Sequence, residues 1–140
     1  MKTAIEEAKK VTIDIPVGVV IKKDDKIIVS SHNLKEELKD TTAHAEILAI
    51  RQAEQILGRW RLEDCDMFVT LEPCPMCASA ILQARIKNVY FGAYDNLNGA
   101  FGSKCDMQKI MNLSTNIKGG ILEEECAKIL KDYFENLRKC

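Results

Sequence analysis

The chain has 140 residues, of which 46% are hydrophobic, and this composition suits one compact domain with a substantial core. Its 20 lysines and arginines nearly balance 21 acidic residues, so the sequence lacks the basic stripe that marks a large nucleic-acid footprint. It shows no signal-peptide core and no apolar run of membrane-spanning length, and we expect a cytoplasmic protein. In that compartment Cys65, Cys105, Cys126 and Cys140 are expected to be reduced thiols.

The first third of the chain predicts a helix followed by a hairpin. Residues 1–10 have the apolar spacing of a short amphipathic helix. Two β-rich runs, 15–22 and 26–31, flank the dipeptide Asp24-Asp25, which is typical of a tight turn between antiparallel strands.

The rest of the chain predicts alternating helices and strands. After a charged loop, Thr41 or Thr42 is predicted to cap a helix over 43–57, which ends at Gly58. The later elements are a strand over 65–71, a helix over 75–84, a strand over 87–92, a loop over 93–104, a weak strand over 116–118 and a carboxy-terminal helix that buries Leu122, Cys126, Ile129, Leu130, Tyr133 and Leu137. This order predicts an α/β fold, a three-layer α/β/α sandwich with right-handed crossovers.

Two short blocks carry candidate metal ligands. His44 is followed by Ala45-Glu46, and Cys74 and Cys77 lie in the sequence PCPMC. A structural zinc site usually has four protein ligands, whereas a catalytic site keeps three and leaves the fourth position for water. One imidazole, two thiolates and a nearby carboxylate therefore predict a catalytic site with one Zn²⁺ per chain.

Other uses of the same residues stay open at this point. A C-x-x-C pair can be a redox pair or half of a structural zinc knuckle, although a redox pair leaves His44 and Glu46 without a role. A closed structural site needs a fourth ligand, for which Cys65, Cys105 or His32 is available. Such a site would suit a non-catalytic, zinc-stabilised RNA-binding module.

The chain resembles the cytidine deaminase-like zinc enzymes, and among them the bacterial tRNA-specific adenosine deaminases. H-x-E followed by P-C-x-x-C is a signature of zinc nucleobase deaminases. The narrower resemblance extends, in the same order and spacing, over residues 15–21, 31–33, 42–53, 61–81, 84–95, 99–103 and 120–126.

The resemblance implies a single zinc-dependent deaminase domain over residues 1–140, with a central five-stranded mixed sheet. It also implies a homodimer that uses no nucleotide cofactor and converts adenosine to inosine at the wobble position of a tRNA anticodon. The site residues would be the zinc ligands His44, Cys74 and Cys77, the proton shuttle Glu46, and the substrate-binding residues Asn33 and Ala45. Without the resemblance, Asn33 is better explained as a turn residue after a strand.

Candidate RNA contacts are four basic residues and one aromatic residue: Arg85, Lys87, Lys104, Arg138 and Phe134. The basic residues can equally be ordinary solvated charges. Tyr133 fits the apolar stripe of the last helix, which leaves Phe134 as the better candidate for stacking on a base.

Several positions depart from the pattern of the resembling group. Leu97 stands where a lysine is usual, Leu113 stands where a histidine is usual, and the segment 104–119 is shorter. Pro75 also occurs in guanine deaminases of the same fold. Since these positions bear on the substrate and not on the zinc chemistry, the alternative function is deamination of a free base or nucleoside of the guanine or cytosine type.

Overall fold

The computed structural model describes residues 1–139 and contains one five-stranded sheet with helices on both faces. The strands are β1 Gly18–Lys23, β2 Lys26–His32, β3 Cys65–Leu71, β4 Asn88–Ala93 and β5 Asn116–Lys118. The helices are α1 Lys2–Ala8, α2 Lys35–Leu38, α3 Ala45–Leu57, α4 Pro75–Gln83, α5 Met107–Met111 and α6 Glu123–Arg138. Cys140, which was predicted to be a reduced thiol, lies outside the described residues.

The sheet is mixed, with strand order β2-β1-β3-β4-β5. Strand β1 is antiparallel to both β2 and β3, whereas β3, β4 and β5 are mutually parallel. Helices α1 and α6 pack on one face and α3 and α4 on the other. The predicted three-layer α/β/α sandwich with a five-stranded sheet is confirmed.

The predicted hairpin turn has the geometry that its residues suggest. Asp24 and Asp25 have φ angles of 52° and 63°, so both are left-handed, as the two central residues of a type I′ turn must be. Strand β1 begins at Gly18 and not at residue 15, because Pro16 has no N–H to donate to a ladder. Gly18 also lets α1 approach the sheet, since a Cβ there would lie 1.9 Å from the carbonyl oxygen of Ala4.

Three local expectations were incomplete or wrong. The short helices α2 and α5 lie in segments that the sequence pattern left without helix. In α6, Cys126 is buried as expected, but Leu122 and Leu137 are 37% and 53% exposed. Within the described residues α6 packs against α1, β3 and β4, and from residue 131 to its end only Tyr133 is partly buried. No helix among residues 1–139 is both long and apolar enough to cross a membrane.

Candidate active site

Helices α3 and α4 both begin at the edge of the sheet where β3 and β4 end. His44 is the residue before the first turn of α3, and Cys74 holds the same position in α4, each with an extended backbone. Pro75 occupies the first turn of α4, where its missing N–H leaves no helical hydrogen bond unmade. This common edge is why two blocks that are distant in sequence meet.

The predicted threonine cap of α3 is wrong, because the capping group comes from another element. Thr42 instead forms hydrogen bonds to Asp40 through its backbone N–H and its hydroxyl. The first N–H of α3, that of Ala45, donates to Asn33 Oδ1 at 2.8 Å, and Asn33 Nδ2 donates to the carbonyl oxygen of Ile15 at 2.8 Å. Asn33 therefore closes the end of the helix that carries His44 and Glu46.

The three predicted ligands fit a tetrahedral zinc ion. Their donor atoms, His44 Nδ1 and the two Sγ atoms, all lie within 4.8 Å of one another. His44 Nδ1 is 3.7 Å from Cys74 Sγ and 3.4 Å from Cys77 Sγ. Zn–N and Zn–S bonds of ordinary length at tetrahedral angles place nitrogen and sulfur about 3.5 Å apart. The side chains already have the spacing that the ion requires.

The site has three protein ligands within the described part of the chain, and none of the candidate fourth ligands His32, Cys65 and Cys105 belongs to the group. No further His, Cys, Asp or Glu among residues 1–139 joins this group. His32 Nδ1 contacts Glu7 Oε1 at 2.8 Å. Cys65 lies at the start of β3, the end remote from Cys74. An open site with a free fourth position is the catalytic form of a zinc centre.

The electrostatics of the thiols favour metal binding. A hydrogen bond from Cys77 lowers the pKa of Cys74 to about 4, against the opposing effect of burial, and His44 adds to the lowering. The neighbouring Cys74 sulfur and burial raise the pKa of Cys77. The pair thus favours the thiolate form at Cys74, and a metal bound by both sulfurs would release the proton of Cys77.

Glu46 is a buried carboxylate in the first turn of α3, and it lines the same cavity as His44 and Cys74. Burial is the main reason that the pKa of Glu46 is raised to about 7. The cavity has a volume of about 410 Å³, which lies in the range of about 300–1,000 Å³ usual for small-molecule sites. A buried carboxyl group with a raised pKa thus faces a space large enough for a nucleobase.

The cavity also has walls that the sequence reasoning did not identify. They are formed by Ile13, Asp14 and Ile15 before β1, by Lys35 and Glu36 of α2, by Glu72 after β3, by Asp95 and Asn98 after β4, and by Tyr133 of α6. The available signal was topological, because the segments that follow neighbouring parallel strands meet at one edge of the sheet. Tyr133, expected in the core, contributes to this wall and packs edge-on against Phe134 at 5.2 Å between ring centroids.

The predicted RNA contacts are spread over the surface. Phe134 is 44% exposed beside Tyr133, and Arg138 is exposed at the end of the same helix. Lys104 is exposed after β4. Arg85 and Lys87 precede β4 and so lie at the opposite end of that strand from the cavity. Arg85 lines a separate cavity between α3 and α4 with Trp60.

The known proteins to which this chain is similar are deaminases. The profile described as "Cytidine and deoxycytidylate deaminase zinc-binding region" matches residues 1–93. The tRNA-specific adenosine deaminase of Bacillus subtilis (strain 168) is 43% identical over 143 residues, covering 99% of this chain and 89% of that protein.

Two solved structures extend the comparison. A structure from a study of A-to-I editing by tRNA:A34 deaminases at the wobble position of transfer RNA has a TM-score of 0.86 and 40% identity, and the match covers 93% of this chain and 97% of that chain. Guanine deaminase from Bacillus subtilis has a TM-score of 0.63 and 44% identity, and the match covers 66% of this chain and 61% of that chain.

Proposed function

Because this chain belongs to the cytidine and deoxycytidylate deaminase zinc-binding family, we propose that it hydrolyses adenosine to inosine at the wobble position of a tRNA anticodon. The main support for this reaction is the site with three zinc ligands, His44, Cys74 and Cys77, beside the buried carboxylate of Glu46. The substrate is supported by the similarity to a tRNA-specific adenosine deaminase over 99% of the chain. Water and adenosine are consumed, and inosine and ammonia are formed.

The chain's own residues divide the chemistry between them. A zinc ion held by His44, Cys74 and Cys77 would supply Lewis-acid activation of a water molecule. A carboxylate oxygen of Glu46 takes a proton from that water and delivers it to the ring nitrogen beside the attacked carbon. Glu46 then takes the remaining proton from the new hydroxyl group on the attacked carbon and passes it to the departing amino group, which leaves as ammonia. Glu46 is placed for this role because it follows His44 by two residues and lines the same cavity.

The proposed substrate suits a cavity that admits one base. A base must leave its stack before it can enter a closed pocket, and this costs least where the base is unpaired. An anticodon loop meets that condition, since its bases are accessible without melting a duplex. Asn33 and Ala45, which are joined by a hydrogen bond at the start of α3, would contact the nucleoside from the α3 side of the cavity.

We further propose that one deaminase domain spans residues 1–140 and acts as a cytoplasmic homodimer. The elements from Lys2 to Arg138 join one sheet and its two helical layers, which supports one domain. Trp60 is 54% exposed beside the cavity between α3 and α4, as expected of an apolar surface that a second copy covers. Arg85 lines the same cavity and lies at the end of β4 away from its own active site, so its proposed RNA contact requires that the dimer bring it to the partner's site.

A second candidate function is deamination of free guanine. It is favoured by the 44% identity to a guanine deaminase, although that match covers only 66% of this chain. It also suits the balanced charge of the chain, with 20 basic and 21 acidic residues. The likeness to tRNA deaminases covers nearly the whole chain, and for this reason we prefer RNA as the substrate.

The two functions are separated by one assay on zinc-loaded protein. We expect inosine to form in an anticodon stem-loop with adenosine at the wobble position, and none in a matched stem-loop with adenosine moved into the paired stem. Free guanine, cytosine, adenosine and cytidine should give little ammonia in parallel reactions. Turnover of guanine with an unmodified stem-loop would transfer the assignment to the free-base deaminase.

A further inference from the structure

A second buried carboxylate lies next to the zinc ligands. Glu72 follows the last residue of β3 and precedes Cys74 by two residues, and it is only 2% exposed. A buried carboxylate is costly unless hydrogen bonds compensate for its lost hydration. The proposed chemistry assigns no proton transfer to Glu72, so its burial requires another explanation.

All the hydrogen bonds that Glu72 accepts through its carboxylate come from one segment. We define the wall loop as residues 94–106, between the end of β4 and the start of α5. Glu72 Oε1 accepts from the backbone N–H of Asp95 at 3.1 Å and from the hydroxyl of Ser103. Glu72 Oε2 accepts from the backbone N–H groups of Phe101 and Ser103 at 3.1 and 3.2 Å. The start and the second half of the wall loop are thus held by one side chain.

The backbone of the wall loop closes directly over this carboxylate. A Cβ at Gly99 would lie 2.4 Å from Glu72 Cδ and 2.5 Å from Oε1, so this position excludes a larger residue. The N–H of Ala100 donates to the carbonyl oxygen of Pro73 at 2.8 Å. Hence the wall loop packs on the two residues that immediately precede the ligand Cys74.

The wall loop contributes Asp95 and Asn98 to the cavity that contains His44 and Glu46. Asp95 and Asn98 are joined within this loop, because the N–H of Asn98 donates to Asp95 Oδ1 at 3.1 Å. We infer that Glu72 is a positioning residue for the reaction, resting on the proposed function. It holds the wall loop at a fixed distance from the zinc ligands, so that this side of the cavity is preformed for substrate.

The decisive variant is Glu72→Gln, which keeps the size of the side chain. Whichever way its amide is oriented, the new NH₂ group faces at least one backbone N–H that now donates to the carboxylate. We expect amide hydrogen exchange at Asp95, Phe101 and Ser103 to accelerate about tenfold or more, since one buried hydrogen bond is worth about this factor. Exchange within β3 and β4 should stay unchanged, and zinc content should stay at one per chain.

Kinetics on the anticodon stem-loop supply the second measurement. We expect KM to rise about tenfold in Glu72→Gln, with kcat changed much less, because a preformed wall contributes to binding before the chemical step. Ser103→Ala removes a single donor and should shift both measurements in the same direction by less. Glu63→Gln, an exposed carboxylate before β3, is the matched control and should change neither measurement.

Three results would overturn the inference. In the first, amide hydrogen exchange in the wall loop of Glu72→Gln is as slow as in wild type. In the second, exchange is faster but KM is unchanged. In the third, the variant loses zinc although exchange is not faster. If Glu72→Gln fails to fold, Ser103→Ala decides by the same criteria. If the wild-type protein does not act on the stem-loop, the proposed function fails, while hydrogen exchange still decides whether Glu72 orders the wall loop.

Discussion

Asn33, the residue that follows β2, accepts a hydrogen bond from the first N–H of α3 through its side-chain oxygen, at 2.8 Å from the backbone nitrogen of Ala45. Through this contact an element on one side of the cavity sets the start of the helix that carries His44 and Glu46. The other end of the carboxamide is held by the carbonyl oxygen of Ile15. Asn33 therefore has a structural role in addition to any contact with substrate.

Asn33→Ala should destabilise the protein, because it leaves the N–H of Ala45 without a partner in a buried position. We expect the free energy of unfolding to fall by about 1–3 kcal/mol. Asn33→Asp, which keeps the acceptor but loses the donor to Ile15, should lie between wild type and Asn33→Ala. Asn96→Ala, at an exposed position, serves as control. Equal stability of all four proteins in denaturant titrations would show that Asn33 does not cap α3.

Glu46→Gln should retain zinc and the fold but lose turnover. The substitution preserves the size of the side chain and removes its ability to carry a proton, and general acid–base catalysis contributes about 10²–10⁴-fold. Single-turnover inosine formation should be compared at equal zinc loading. Near-wild-type rates in a fully loaded variant would exclude Glu46 as the proton carrier.

The zinc content of single variants should identify the ligands. His44→Ala, Cys74→Ser and Cys77→Ser should each lower zinc below the wild-type value of about one per chain expected for a three-ligand site. Cys65→Ala, Cys105→Ser, Cys126→Ala and Cys140→Ser are the controls and should keep the full metal content. Loss of zinc in one of these four would indicate a closed structural site.

The stability of the protein should depend on Glu7 in a pH-dependent way. Burial alone would raise the pKa of Glu7, but hydrogen bonds from Lys10 and His32 outweigh it and hold the pKa below the ordinary value of 4.5. A lowered folded-state pKa stabilises the protein above the unfolded-state pKa, and this contribution disappears as the pH falls through the folded-state pKa.

Wild type and Glu7→Gln should therefore differ most in unfolding free energy near neutral pH and converge as the pH falls below 4.5. Glu6→Gln, at the exposed neighbouring position, should be nearly neutral throughout. A difference between Glu7→Gln and wild type that grows in acid would mean that the carboxylate is not stabilised by these contacts.

Phe134→Ala should weaken binding of the anticodon stem-loop. Loss of one base-stacking contact costs about 1–3 kcal/mol, and binding by both proteins should also weaken as salt rises. Ile27→Ala, similarly exposed at the far end of β2, is the control. Equal affinity of Phe134→Ala and wild type in binding titrations would remove Phe134 from the RNA surface and leave Tyr133 as the aromatic residue to test.

Local patterns were sufficient for much of the fold and for the metal ligands. The hairpin at Asp24-Asp25, the helix that ends at Gly58 and the helix that begins after Cys74 follow from short-range conformational preferences. The ligand pair Cys74 and Cys77 is recognisable because its spacing lies within one helical turn. The prediction that Thr42 caps α3 was wrong. Local preferences identify residues that are able to cap a helix, but the actual acceptor, Asn33, is supplied by tertiary packing.

The sequence by itself thus determined which chemistry the chain can carry, since His44, Glu46, Cys74 and Cys77 lie in two compact motifs. Only the tertiary structure decided that no fourth protein ligand joins them within residues 1–139, that Asn33 caps α3, and that Tyr133 forms part of the cavity wall. It also decided that Glu72 is enclosed by residues more than twenty positions away. Such contacts depend on strand order and on which ends of the strands share an edge, and no periodicity along the chain encodes that arrangement directly.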